Sequence, residues 1–155
     1  LCINEPNCPG YIANLKQPFR VHDIDYLKEV RKREPQFKRM FNITQKGTLL
    51  KPPPNYYLID GLYTIGSVGS VGQTSTSDCD IWVCLERNNY DKLAWLQIHE
   101  KVNLIKDWLD ANIKMPVFFF ISDIAAIRES RFGSVDSESS GSTQQDVLKE
   151  EFYRS

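Results

Sequence analysis

The apolar and polar positions of this chain fall into blocks of different period. From about residue 90 to 111, Ala94, Ile98, Val102, Ile105 and Leu109 recur every three or four residues, joined by Trp95 and Trp108, and this spacing predicts a helix with one apolar face. Residues 56–65 are rich in aromatic and branched side chains, which predicts a strand interrupted near Asp60-Gly61. Residues 78–85 predict a second strand, in which alternation sets Asp78, Asp80 and Trp82 on one face and Cys79, Ile81 and Val83 on the other. The apolar face is expected to be core, and the acidic face is the one left for function. Residues 117–121 are uniformly apolar, the pattern of a central strand covered on both faces.

Outside these blocks the pattern is weaker. Residues 1–22, which include Pro6, Pro9, Gly10 and Pro18, read as an irregular lead-in. Asp23 is placed to cap a helix over 24–33 with Ile24, Leu27, Val30 and Tyr26 as its buried stripe. Pro35 is expected to interrupt it, leaving a second short helical stretch with Phe37, Met40 and Phe41. Lys51-Pro52-Pro53-Pro54-Asn55 reads as a stiff linker. One helical turn is expected within the Gly/Ser stretch after residue 65, a Ser-, Gly- and acid-rich loop over 134–142, and a helix over 144–154. The order strand, loop, strand, helix, strand predicts an α/β (α+β) domain with a mixed sheet flanked by helices.

Composition narrows the partners. Nineteen basic against twenty acidic residues leave a net charge of -1, so no bulk field favours nucleic acid or an anionic membrane, and no nucleic-acid partner is expected. The longest apolar run, 116–121, falls far short of the roughly 20 residues of a membrane-spanning helix. Cys2, Cys8, Cys79 and Cys84 form no CxxC pair and are expected to be free thiols of a cytoplasmic protein. His22 and His99, far apart in sequence, read as ordinary helix residues. The 155 residues are expected to form one domain, 1–155. The start without methionine and the stop inside a helix suggest an excerpt of a longer polypeptide.

The chemistry lies between the first two predicted strands. Gly66, Ser67, Gly69, Ser70 and Gly72 lead into Ser77-Asp78-Cys79-Asp80. Glycine lets the backbone approach a phosphate closely, and amides and hydroxyls donate to its oxygens without adding charge. No lysine lies between Lys51 and Lys92, which excludes a Walker P-loop, and glycines at 66, 69 and 72 do not fit GxGxxG. What remains is a Gly-Ser pair at a strand end, with Ser67 eleven residues before Asp78. Two acids two apart on a strand have alpha carbons about 6.5 Å apart on one side. They supply the hard oxygen ligands that Mg2+ or Mn2+ takes, and such ions serve phosphoryl or nucleotidyl transfer. An isolated Asp-x-Asp also occurs on solvated strand faces. The Gly-Ser upstream and the apolar flanks Ile81, Val83 and Leu85 favour the site.

These residues resemble the nucleotidyltransferase superfamily of DNA polymerase beta, whose pattern is a hydrophobic residue, Gly-Ser, and then Asp-x-Asp. Within it, the stretch from Leu62 to Cys84 resembles the class I adenylate cyclases of gammaproteobacteria. Pro9-Gly10-Tyr11, residues 117–123, Gly141-Ser142-Thr143-Gln144 and Glu151-Phe152-Tyr153-Arg154 agree in order and spacing, so the resemblance spans most of the chain. It implies a mixed sheet of the polymerase beta type and an N-terminal catalytic region that turns ATP into cyclic AMP and pyrophosphate, with a regulatory region outside this chain. By position, Gly66 and Ser67 would hold the triphosphate and Asp78 and Asp80 the metal ions, while Ser77 and Trp82 would complete the nucleotide site. Trp82 reads either as a surface for the nucleotide or as an interior ring under the loop. Asp123 is the candidate third carboxylate, as ligand or base, and reads equally as a helix N-cap for 124–128. Arg128, Arg131 and Lys92 are candidate cations for the triphosphate. The alternatives are a transferase that modifies a protein, sugar or RNA acceptor, and a nucleotide-binding module that lacks part of its catalytic equipment.

Overall fold

The computed structural model describes residues 1–65 and 77–128, and there the chain combines helices with mixed sheets, an α+β arrangement. Strands β1 (Phe19–Val21) and β2 (Tyr57–Ile59) pair in parallel as a small sheet. Strands β3 (Gly61–Ile65), β4 (Cys79–Leu85) and β5 (Val117–Asp123) form the other, in the order β3-β4-β5. β3 runs antiparallel to β4, and β5 parallel to it. A parallel pair needs a long crossover, which here is helix α2 (Lys92–Asn112).

Helix α2 forms where the periodicity predicts it. Asp91 caps it, accepting from Ala94 N at 2.9 Å, and also takes the Tyr57 hydroxyl at 3.0 Å and the Lys16 ammonium. Ala94, Ile98 and Val102 are buried, joined by two polar residues that periodicity does not single out, Gln97 and Lys101. Both hold down the first residues of the chain. Gln97 donates to the Asn14 carbonyl at 2.9 Å and accepts from Lys16 N at 3.1 Å. Lys101 donates to Asn4 Oδ1 at 3.0 Å and to the Gly10 carbonyl at 2.6 Å. Gly10 sits at φ +78, and a Cβ there would meet Ile105 Cγ1 at 2.7 Å, so the close approach requires glycine.

The lead-in is therefore docked, and within it β1 is a strand the sequence pattern does not show. Three residues after a proline carry no readable period; β1 exists because β2 pairs with it. The two sheets meet at the predicted interruption, where Asp60 N donates to the Cys84 carbonyl at 2.9 Å and the Asp60 carboxylate accepts from Glu86 N at 3.1 Å.

Before the linker, the structure departs from expectation. Residues 24–26 make a single 3-10 turn, and Asp23, at φ 52, gives it no side-chain cap. The helix proper, α1 (Lys28–Met40), runs through Pro35. Proline removes one backbone bond, but neighbouring Glu34 accepts from Leu49 N and Thr48 Oγ1, each at 2.7 Å, and pairs with Lys38 at 3.5 Å. Of the predicted stripe, Ile24 and Val30 are half-buried, whereas Tyr26 and Leu27 are exposed. Phe37 packs on Phe41, and Phe41 on Trp108 of α2.

Strand β4 is the centre of the packing. On its α2 side, Val83 and Leu85 join Phe19, Val21, Ile59, Tyr90, Ala94 and Ile98 in one cluster. On the other side Trp82 and Cys84 pack with Ile124 and Ile127 of the short helix α3 (Ile124–Arg128). β5, expected to be central, is an edge strand among those described, with Phe118 41% exposed. A uniformly apolar run does not distinguish the two positions. Ile98 is fully buried against both strands and helix, so Ile98→Val should cost about 1 kcal/mol, read as a lower urea midpoint at unchanged slope. Among the described residues no helix is long and apolar enough to cross a membrane. The expected turn after residue 65, the loop 134–142 and the helix 144–154 lie outside the described residues.

Candidate metal and nucleotide site

The candidate site begins where the chain enters β4. Ser77 is half-buried, Asp78 exposed and Asp80 half-buried. The antiparallel register pairs Asp80 with Ile65, the residue before Gly66. The strand leading to Gly66-Ser67 thus ends beside the second acid, as the spacing predicts. Gly66, Ser67 and Arg131 themselves lie outside the described residues.

Within the pair, burial and the neighbouring charge both disfavour the ionised form of Asp80. Burial, and after it the charge of Asp78, raises the Asp80 pKa above its ordinary value. The Cys79 thiol, facing away, is pushed up by burial first and then by Asp80 and Asp78. A divalent ion between the two carboxylates would relieve this repulsion, and an all-oxygen donor set suits magnesium or manganese. Among the described residues no group of three or more His, Cys, Asp or Glu side chains gathers to hold a metal.

The acidic face is short. Beyond Asp80 the same side of β4 turns into core. Trp82 is 6% exposed and its ring stacks on Phe120, with centroids 4.8 Å apart and planes at 22°. Cys84 follows, fully buried, its thiol pushed up to about 12 chiefly by that burial. Alternation places Trp82 on the side of the acids correctly, but α3 covers it. It occupies an interior position, next along the strand from Asp80.

The structure does not bring Asp123 to the pair. In the parallel register Asp80 lies opposite Phe118, whereas Asp123 lies opposite Leu85, five residues further on. At about 3.3 Å per residue, that is roughly 16 Å along the strands. Asp123 Oδ1 instead accepts from Ala125 N and Arg87 N, each at 3.2 Å, the bonding of a helix cap. Lys92 opens α2, past the end of β4 remote from the acids. Arg128 ends α3, one residue after Ile127 packs into the Trp82 cluster. The residue that register adds beside Asp80 is Phe118, which sequence reading passes over because an unbroken apolar run conceals which ring is exposed.

The sequence of the whole chain, residues 1–155, matches the family described as the adenylate cyclase NT domain. The chain belongs to the adenylate cyclase N-terminal domain family. An adenylate cyclase of Escherichia coli K12 and one of Shigella flexneri are each 32% identical over 158 residues, covering 97% of the chain. An adenylate cyclase of Yersinia pestis is 35% identical over 165 residues, covering 98% of it. The chain spans 17% of the length of each of these relatives. No solved structure matches it. The match thus extends over all 155 residues, well beyond the stretch that holds Gly66-Ser67 and Asp78-Cys79-Asp80.

Proposed function

We propose that this domain is catalytic, that its substrate is ATP, and that with Mg2+ or Mn2+ it forms cyclic AMP and pyrophosphate. The observation that carries the reading is the pairing of Asp80 with Ile65, which brings the end of β3, the strand that leads in sequence into Gly66-Ser67, beside the second acid. Asp78 and Asp80 would hold the metal. Gly66 and Ser67 would bind the triphosphate through amides and a hydroxyl, with Ser77 beside them. A bound divalent ion supplies positive charge against the triphosphate and the oxygens that gain charge during transfer. Trp82 and Phe120 form the apolar core next along the strands from Asp80, and Asp123 caps α3 at a distance. In the reaction the ribose 3'-oxygen bonds to the alpha phosphorus as the bond to the pyrophosphate oxygen breaks. The chain would be part of the catalytic region, and a regulatory region would lie elsewhere in the longer polypeptide. Free thiols at Cys2, Cys8, Cys79 and Cys84 suit a reducing cytoplasm.

Incubation of the chain with ATP and Mg2+ or Mn2+ tests this reading. Cyclic AMP formed with no acceptor present is the expected product. AMP joined to a protein, sugar or RNA would reject cyclisation in favour of transfer.

A further inference from the structure

We infer that Phe118 is the surface on which the base of the nucleotide stacks, an inference that rests on the proposed function. Parallel partners on neighbouring strands project to the same side, and strands lie about 4.8 Å apart. Phe118 is the register partner of Asp80, so its backbone stands directly across from the second acid of the pair, on the edge strand among those described. The next pair on this side, Trp82 and Phe120, confirms the geometry by stacking ring on ring.

The three consecutive aromatic residues of β5 have different fates. Phe119 packs against the α2-side core and Phe120 against the Trp82 cluster, whereas Phe118 joins neither and keeps 41% of its surface exposed. Single exposed rings are common on protein surfaces; what sets Phe118 apart is its place in register with a half-buried carboxylate, where a nucleotide needs an apolar face within reach of the charges that hold its phosphates. Lys106 places its ammonium 5.5 Å from the Phe118 ring centre and is tied to Asp110 at 2.6 Å, so a cation fixed by its own partner anchors the ring. Stacking on an aromatic side chain contributes about 1–3 kcal/mol per base and does not depend on which base is present. Phe118 would therefore add affinity for the nucleoside end without choosing adenine.

Titration calorimetry with two probes, Mg-ATP and Mg-tripolyphosphate, separates the ring from the metal site. Phe118→Ala and Phe118→Leu should each weaken ATP binding about tenfold and leave tripolyphosphate binding unchanged, while Phe118→Tyr keeps wild-type affinity for both. Binding of both probes by the wild type with ATP affinity unchanged in Phe118→Ala overturns the stacking role and leaves the proposed function standing. An equal loss of both probes in Phe118→Ala shows the ring to be structural and also overturns it. Failure of the wild type to bind either probe overturns the proposed function, and the stacking role with it.

Discussion

Asp80→Asn is expected to weaken metal-dependent ATP binding by at least about a hundredfold, the upper end of what losing even a supporting partner of a metal ligand costs. Asparagine keeps the shape of the side chain and one acceptor oxygen, but it removes the charge that makes a carboxylate a ligand for a hard cation. Asp78→Asn should act in the same direction. Stability should move the other way. In the folded chain the Asp80 carboxylate is disfavoured by burial and by the charge of Asp78, so neutralising it relieves repulsion, and the melting temperature should hold or rise. Lost binding with retained stability separates a site residue from a structural one. Asp123→Asn is the contrast, because asparagine can still accept from Ala125 N and Arg87 N, and ATP binding should not change. Unaltered ATP binding in Asp80→Asn, or a loss of fold that accompanies the loss of binding, would sink the assignment.

Much of this arrangement is legible in the residues, and what is not has identifiable causes. The α2 periodicity finds Ala94, Ile98 and Val102 because a helix on a sheet must bury one stripe. The break at Asp60 is readable because Asp-Gly is poor strand chemistry, and the faces of β4 follow from alternation. Pro35 misleads because local propensity says nothing of Glu34 reaching Leu49 and Thr48, contacts that hold the helix on both sides of the proline. Trp82 was on the predicted face, yet its burial depends on α3, whose packing is tertiary. The hardest feature is strand register. Asp123 ends a strand adjacent to the acidic one, but a parallel crossover can set that strand at any stagger. The stagger found here puts Phe118, not an acid, beside Asp80.

Between pH 8 and 10.5 the wild-type chain should gain stability relative to Lys101→Met, by up to about 3 kcal/mol. Lys101 is completely buried, its ammonium donates to the Asn4 and Gly10 oxygens, and desolvation lowers its pKa to about 8 from 10.5. Nearby Cys2 and Cys8 oppose the shift. The sign follows from proton binding. Between these two values the unfolded chain keeps the lysine proton while the folded chain has released it, so raising the pH favours folding. Below pH 8 both states hold the proton, and the cost of the buried charge is fully present. The buried thiols act oppositely. Cys84, pushed up to about 12, and Cys8 and Cys79, also raised, keep their protons in the fold, so they lower stability as alkali ionises the unfolded chain. The Cys79 and Cys84 terms do not involve Lys101, so they are shared by wild type and Lys101→Met and cancel in the difference, whereas Cys8, whose thiol pKa the Lys101 charge lowers, adds a smaller term of its own. Denaturant melts of both chains at intervals from pH 7 to 10.5 give that difference directly. A flat line, or one falling with pH, would show that the ammonium is hydrated and not buried as described. The consequence reaches the site, because Lys101 ties the first ten residues to α2, and α2 is the crossover connecting β4 to β5, where Asp80 and Phe118 stand side by side.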